Sequence, residues 1–204
     1  DAAMTDGCAL LQAMNLTLLA MGRWSDRRQS NLIDGAAPFY DTYACADGRH
    51  VAVGALEPAF YALFLERLGL ADDPAMRPQH DRALWPLQKQ RIAEALRQRP
   101  RDDWARRFDG SDACVTPVLA LGEAPRHPHH RARGSFVEVA GQVQPGPAPR
   151  FSATPTVGAR PLAAAHDAAQ ALAAWGWTDE EIGALAASGA MGGGRGALVP
   201  GAAA

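Results

Sequence analysis

Residues 34–61 read DGAAPFYDTYACADGRHVAVGALEPAFY, and they contain the clearest structural signals of the chain. Two short runs within them favour β-strands, 39–45 and 50–55. The loop between these runs contains Asp47 and Gly48, and an Asp-Gly pair between β-prone runs is the strongest short-range signal for a tight hairpin. The stretch therefore predicts two antiparallel strands joined by a short turn.

Helices are predicted on the C-terminal side of this hairpin. Pro58 suits the first position of a helix, and Gly69 suits the position just after its end. A second helix is predicted to start at Pro86 and a third near Asp102, whose carboxylate can cap it. With a short strand or extended loop at 113–119, these elements predict an α+β unit.

The signals weaken beyond this unit. The segment 120–133 is rich in His, Arg and Pro and is predicted to be irregular, whereas 135–140 and 142–151 are predicted to form a second strand pair. Two terminal helices are expected, one over about 164–175 and one that starts at Thr178. The second has a glutamate three residues after the threonine, which is the spacing of a capping box.

The N-terminal segment 2–22 predicts one helix with apolar side chains almost all round. Such a helix needs cover on most of its faces, and a missing N-terminal half or a second subunit would supply it. The segment 23–38 gains charge, Gly and Pro and is predicted to be a connecting arm. Because the chain opens at Asp1, within this helix and without an initiator Met, we expect a fragment that is truncated at its N-terminus, where targeting information therefore cannot be read.

Composition and charge exclude several classes of function. The 204 residues carry a net charge of −2, so the chain has no basic field for a nucleic-acid backbone or an anionic membrane. The most apolar run, 8–21, is interrupted by polar residues and does not predict a membrane span. The three cysteines, Cys8, Cys45 and Cys114, match neither a disulfide framework nor a zinc spacing, and they favour a reduced, intracellular protein.

Few residues suggest chemistry by pattern alone. Glu57 lies at a predicted strand end before a helix N-terminus, so it is either a helix-start residue or a functional acid. We interpret His127, His129 and His130 as part of a solvated loop rather than a metal site, because no helix is predicted to fix their spacing. Cys114 has no basic neighbour in the sequence and is interpreted as a buried, inert thiol.

The stretch 34–61 also resembles the alpha-methylacyl-CoA racemases, which belong to the class III CoA transferase superfamily. The resemblance continues through three further motifs: GSDACVTPV at 110–118, RGSF at 133–136 and PAPRF at 147–151. It covers nearly the whole chain and weakens only in 72–100 and after residue 155.

This resemblance implies a racemase that interconverts (R)- and (S)-2-methylacyl-CoA thioesters through an enolate. The thioester acidifies the α-carbon, so a base removes its proton and an acid on the opposite face returns one, without a metal or organic cofactor. In the family these groups are a His, which a Glu supports, and an Asp. The supporting Glu matches Glu57, whereas the His and the Asp belong to a segment upstream of Asp1.

The resemblance also implies an acyl-CoA substrate and an interlocked homodimer. The active site would form between the large domain of one subunit and the small domain of the other. The side chains implied to line the acyl part of the site are apolar or aromatic: Met4, Ile33, Tyr40 and Leu56. For Met14 and Met21, packing inside a helix core is the favoured interpretation, and for Met4 both roles stay open.

The predicted fold is therefore α+β, the small domain of a class III CoA transferase-like fold. Its flanking helices are expected to pack on a Rossmann-like large domain outside the chain. The predicted parts are a connecting helix and arm (1–38), a small α+β domain (39–143), a return linker (144–163), C-terminal helices of the large domain (164–188) and a flexible tail (189–204). The expected location is cytoplasmic.

Two other functions stay open. One is a CoA transferase that moves CoA between carboxylic acids through an aspartate nucleophile, which would also lie outside the chain. Glu57 favours the racemase, because a transferase needs no carboxylate to support a His. The other is a non-catalytic interaction module, if the chain is complete. The codons upstream of Asp1 would discriminate between these functions.

Overall fold

The computed structural model describes residues 1–156, 158 and 168–191. The chain divides into two compact units, Asp1–Ala120 and Leu121–Ala204. Among the described residues, helices combine with two small antiparallel sheets, which confirms the predicted α+β class. The division into units does not coincide with the predicted small domain at 39–143, and the predicted domain boundaries stay predictions.

The predicted hairpin forms the sheet of the first unit. Strand β1 (Tyr40–Ala44) pairs antiparallel with β2 (His50–Gly54), and Gly48 in the turn has a left-handed φ of 74°. A third strand, β3 (Val115–Pro117), lies antiparallel on the other side of β2. The hairpin predicted from Asp47 and Gly48 is therefore confirmed.

The N-terminal segment forms two short helices rather than one. Helices α1 (Met4–Leu11) and α2 (Ala13–Ala20) are separated at Gln12, whose backbone N–H is shared between two carbonyls of the preceding turn. Neither helix contains a buried residue. Large apolar side chains of this segment are exposed: Met4, Leu10, Leu11, Met14, Leu16, Leu19 and Met21. The prediction of one continuous helix at 2–22 was therefore wrong. The apolar side chains that were expected to pack against another domain or subunit are exposed in this chain.

Three helices complete the first unit: α3 (Pro58–Leu68), α4 (Trp85–Leu96) and α5 (Arg101–Phe108). Pro58 begins α3, and Gly69 follows its end with a φ of 82°, as the sequence predicts. Helix α4 begins one residue before the predicted Pro86. A short 3₁₀ turn, Pro74–Met76, lies between α3 and α4.

The start of α5 is held by the hairpin turn rather than by Asp102. The backbone N–H of Arg101 donates to Oδ1 of Asp47 at 3.2 Å. Asp102 lies inside the first turn, where its Oδ1 accepts a hydrogen bond from Nε of Arg101 at 2.8 Å. The predicted cap was wrong because the helix begins at Arg101, which places the Asp102 side chain beyond the capping position.

Phe39, the residue before β1, is fully buried at the centre of the core. Its ring packs edge-on against Tyr61 of α3 and Trp85 of α4, with ring centroids 5.6 and 6.0 Å apart. It also meets the ring of His80 at 5.7 Å. The Tyr61 hydroxyl donates to the backbone oxygen of Met76 at 2.9 Å, so its polar end has a partner inside the core. One side chain thereby joins the hairpin, α3, α4 and the loop before α4.

The second unit is built from smaller elements. They are a 3₁₀ turn (Ala124–Arg126), helix α6 (Pro128–Arg133), strands β4 (Phe136–Val139) and β5 (Gln142–Pro145), and helices α7 (Ala168–Ala174) and α8 (Asp179–Ala187). The prediction of an irregular segment at 120–133 was wrong, because its last residues form α6. Pro128 begins this helix, and Gly134, with a φ of 57°, ends it. The second strand pair forms as predicted, and the capping box of Thr178 with Glu181 is present.

Parts of three predictions lie outside the described residues. They concern 157 and 159–163 in the linker, 164–167 in the first terminal helix and 192–204 in the tail.

The arm 23–38 is organised around one carboxylate. Asp34 accepts hydrogen bonds from the backbone N–H groups of Ser30 at 3.0 Å, Asn31 at 2.9 Å and Ala36 at 3.3 Å. The buried Asn31 side chain also donates to it, at 2.8 Å. Burial acts to raise the pKa of Asp34, but these hydrogen bonds outweigh it and hold the pKa below its usual value.

Lys89, on α4, connects this arm to the hairpin. Its ammonium lies 2.5 Å from Oδ2 of Asp41 on β1 and also donates to the backbone oxygen of Gly35. The arm, the first strand and α4 are therefore joined by one charged side chain.

We expect Asp34→Asn to lower the free energy of unfolding by about 1–3 kcal/mol at neutral pH, because an amide offers one acceptor oxygen instead of two. Urea denaturation followed by tryptophan fluorescence measures this difference. Since the folded-state pKa of Asp34 is lowered, its stabilisation is present above the unfolded-state pKa and is lost as the pH falls through the folded-state pKa. The difference between wild type and variant should therefore close in acid.

Asp26→Asn is the matched control, because Asp26 is an exposed carboxylate of the same arm. This control should change stability by less than about 0.5 kcal/mol. Equal stability of wild type and Asp34→Asn, or a difference that does not depend on pH, would contradict the role of Asp34.

Candidate functional site

Glu57 lies at the junction between β2 and α3. Its backbone is extended, with φ −74° and ψ 142°, and its carbonyl accepts the N–H of Tyr61 at 2.9 Å in the first turn of the helix. The side chain occupies the capping position but makes no capping hydrogen bond. Because the residue is also exposed, the carboxylate is available to a ligand or to another side chain.

The backbone before Glu57 is held by a glutamine from a distant loop. The side-chain Nε2 of Gln79 donates to the backbone oxygen of Leu56 at 2.9 Å and to that of Ala55 at 3.3 Å. Gln79 is 7% exposed. The sequence contains no local signal for this contact, because the partners are 23 and 24 residues apart.

Cys114 lies near Glu57 and is exposed. Its backbone has a left-handed φ of 54°, and its carbonyl accepts the N–H of Gly54, at the end of β2, at 2.9 Å. Partial desolvation of the thiol, followed by the negative charges of Glu57 and Asp112, raises the pKa of Cys114. The buried thiol predicted here was wrong, because the fully buried Ala113 fills the core and the next side chain lies at the surface.

An apolar cavity of about 670 Å³ opens beside this junction. It brings together two of the predicted acyl-lining residues, Ile33 of the arm and Leu56. The other lining residues come from α2, the arm and the region around the start of α4: Met14, Leu18, Gly22, Arg23, Trp24, Leu32, His80, Arg82 and Trp85. The contribution of α2 could not be predicted from the sequence, because the pattern of its apolar residues does not indicate which of them face a cavity.

The two remaining predicted residues lie elsewhere. Tyr40 is 39% exposed and lines, with Ile33, a shallower cavity of about 430 Å³ along β1 and β2. Met4 is 88% exposed on α1 and lies outside both cavities. The structure therefore brings Ile33 together with Leu56 and with Tyr40, but leaves Met4 apart, and the proposed roles of all four stay predictions.

The histidine cluster lies on and beside α6. The ring centroids of His127 and His130 are 5.9 Å apart, and those of His129 and His130 are 5.8 Å apart. Within the part of the chain that the structure describes, no group of three or more His, Cys, Asp or Glu side chains could hold a metal ion.

None of the described helices is both long and apolar enough to cross a membrane.

Comparisons with known proteins show the family of this chain. The chain shares its fold with a crystal structure of a mutant of Rv3272 from Mycobacterium tuberculosis, with a TM-score of 0.56 and 15% identity, over 76% of this chain and 41% of that one. Residues 1–167 match the model of CoA-transferase family III. The chain belongs to CoA-transferase family III.

Within this family the chain is similar to the alpha-methylacyl-CoA racemases. It is 41% identical to the Mus musculus enzyme over 185 residues, which are 89% of this chain and 48% of the relative. It is 41% identical to the Homo sapiens enzyme over 160 residues, which are 77% of this chain and 41% of the relative. A CaiB/baiF CoA-transferase family protein of Caenorhabditis elegans is 32% identical over 74% of this chain and 42% of its own length. The chain thus spans about half the length of the curated relatives it matches.

We expect Glu57→Gln to lower the pKa of the Cys114 thiol, because the substitution removes a nearby negative charge that disfavours the thiolate. The rate of alkylation as a function of pH measures this pKa in a Cys8→Ser background. Cys45 does not interfere, because it is buried and burial raises its pKa to about 11.

Glu66→Gln is the control, since it removes an exposed carboxylate from the other end of α3. An alkylation profile of Cys114 that is the same before and after Glu57→Gln would mean that the carboxylate lies away from the thiol.

Proposed function

We propose that this chain forms the small-domain side of an active site that racemises 2-methylacyl-CoA thioesters. The observation that carries the proposal is the Glu57 carboxylate, which is exposed at the strand–helix junction and is not used to cap α3. An apolar cavity opens beside it at Leu56. The mouse and human relatives, each named alpha-methylacyl-CoA racemase, support the assignment.

The proposed reaction exchanges one proton at C2 of the acyl group. When the C2–H bond breaks, the thioester carbonyl accepts the electron pair and an enolate forms. A base on one face takes the proton, and an acid on the other face delivers a proton to C2, which inverts its configuration. The same two groups in exchanged roles convert the product back.

In this scheme Glu57 supports a histidine that exchanges the proton. A carboxylate that accepts a hydrogen bond from one ring nitrogen fixes the tautomer and favours the charged imidazolium. The histidine and the opposing aspartate would come from the part of the fold outside this chain. The chain would therefore contribute one of the three acid–base groups and part of the acyl surface.

We place the acyl group against Ile33 and Leu56, with Tyr40 at the edge, because apolar surface with a methionine nearby accommodates acyl chains of different shapes. The exposed α1 and α2, including Met4, would be covered by a large domain in an interlocked homodimer. We also propose a reducing, cytoplasmic location, with which the three free cysteines accord. The proposed reaction would belong to lipid metabolism.

A CoA transferase is the second candidate, because the family model and the Caenorhabditis elegans relative both carry that name. Such an enzyme would form an anhydride and then a thioester on an aspartate. Glu57 distinguishes the two reactions, since proton exchange uses a carboxylate beside a histidine and CoA transfer does not require one.

In deuterated water, the longer protein to which we assign this chain should place deuterium at C2 of a single epimer of 2-methylacyl-CoA and yield both epimers. Mass spectrometry and chiral chromatography measure the two outcomes. Exchange should persist after exhaustive chelation, because the thioester itself delocalises the negative charge.

The 204-residue chain alone serves as the control and should exchange no deuterium, since it would lack the histidine and the aspartate. Transfer of CoA to an added carboxylic acid without exchange at C2 would support the transferase instead. Racemisation by the 204-residue chain alone would contradict the placement of the two groups outside it.

Glu57→Gln in the longer protein should lower kcat roughly ten- to a thousandfold, as expected for a group that orients a catalytic histidine. The KM should change little, because the amide keeps the size of the side chain. Steady-state racemisation rates measure both constants, and circular dichroism checks the fold.

Glu66→Gln is the matched control, because it makes the same chemical change on an exposed residue of α3. If Glu57→Gln turned over as fast as wild type, Glu57 would be a helix-start residue without a chemical role.

A further inference from the structure

We propose that Gln79 is a positioning residue that fixes the Glu57 carboxylate for catalysis. The inference rests on the proposed function of Glu57, but its structural part concerns only residues of this chain. It assigns a role to a buried amide that the reaction itself does not use.

The amide of Gln79 binds the backbone of the two residues directly before Glu57. Its Nε2 donates to the backbone oxygens of Ala55, at 3.3 Å, and Leu56, at 2.9 Å. One NH₂ group has two N–H donors, so both are used on consecutive carbonyls. Rotation of the peptide planes around Leu56 would break one or both of these hydrogen bonds.

These two carbonyls lie outside regular secondary structure. Strand β2 ends at Gly54 and α3 begins at Pro58, so Ala55 and Leu56 belong to neither element. Ala55 is fully buried, and its oxygen is out of reach of bulk water. The Gln79 amide therefore replaces the backbone partners that a strand or a helix would supply.

Gln79 is itself anchored to α4. Its backbone oxygen accepts a hydrogen bond from Nε1 of Trp85 at 2.9 Å, and the Trp85 ring packs on Phe39. The preceding Pro78 is held in turn by Gln88 of α4, whose Nε2 donates to its backbone oxygen at 3.2 Å. These contacts thus connect the core of the unit, through Gln79, to the backbone of Leu56, the residue directly before Glu57.

The consequence for catalysis is geometric. A catalytic group that moves by about 1 Å loses roughly a hundredfold in rate. Methionine has nearly the length of glutamine but no N–H, so Gln79→Met removes both hydrogen bonds while it keeps the volume.

Tyr43→Phe is the control for a weakened core. The Tyr43 side chain is buried, and its hydroxyl donates to the backbone oxygen of Pro38 at 2.5 Å. The substitution removes a buried hydrogen bond and keeps the ring, but this bond involves neither Gln79 nor the residues beside Glu57. Any effect of a weakened core alone would therefore be seen in both variants.

The first experiment measures racemisation by the longer protein, at a temperature where circular dichroism shows every variant folded. We expect Gln79→Met to lower kcat roughly ten- to a hundredfold with little change in KM, and Tyr43→Phe to stay within about threefold of wild type. In a Glu57→Gln background, Gln79→Met should have no further effect, because it acts only through that carboxylate. Equal rates for wild type and Gln79→Met, or effects of the two substitutions that multiply, would overturn the proposal.

The second experiment uses the 204-residue chain without any activity assay. In the Cys8→Ser background, the alkylation profile of Cys114 reports the charge of Glu57 beside it. Gln79→Met should move this profile towards that of Glu57→Gln, whereas Tyr43→Phe should leave it unchanged. A Cys114 profile that responds to Glu57→Gln but not to Gln79→Met would overturn the proposal.

The two experiments separate this inference from the proposed function. If Glu57→Gln leaves racemisation unchanged, the proposed function of Glu57 fails, and the response of Cys114 still tests whether Gln79 holds the carboxylate. If Glu57→Gln is slow but Gln79→Met is not, only the role of Gln79 fails.

Discussion

The burial of Phe39 is the interaction on which the first unit is organised. The ring lies directly before β1 and contacts Tyr61, His80 and Trp85, so it joins the hairpin, α3, the loop before α4 and α4 itself. Each of these aromatic contacts adds about 0.5–1.5 kcal/mol to the burial of the ring. Loss of this one side chain would therefore remove the contacts that join the start of the hairpin to α3 and α4.

The same core explains why a charged residue can be both exposed and well positioned. Ala55 and Leu56 before Glu57 are buried and half-buried, Pro58 and Ala59 directly after it are exposed, and the core resumes at Phe60 and Tyr61. Its carboxylate projects from a backbone whose hydrogen bonds go to Gln79 and into α3. A side chain on such a junction is positioned by its backbone while it stays in contact with water.

Local signals predicted the elements but not the contacts between them. Asp47 and Gly48 predicted the hairpin, and Pro58 and Gly69 predicted the ends of α3, because each depends on neighbouring residues only. The capping of α5 by Asp47 joins residues 54 apart, and no local pattern carries that information. For the site, the proposed roles of Glu57, Ile33 and Leu56 come from the resemblance alone, whereas the positions of Gln79 and of the cavity wall from α2 depend on tertiary packing. The exposure of Cys114 was missed because its neighbours in the sequence do not show which side of the segment faces the core.

The two sides of the apolar cavity differ in what holds them in place. Leu56 and Trp85 belong to the packed core, and Ile33 lies in an arm that Asp34 and Lys89 fasten. Met14 and Leu18 lie on a helix of eight residues without a buried side chain, and helices of this length are marginal without packing. The wall beside Glu57 is therefore set by this unit alone, whereas the opposite wall depends on what packs against α1 and α2. In a racemase this asymmetry would separate two demands, because proton transfer needs a fixed carboxylate and variable acyl chains need an adaptable, methionine-bearing surface.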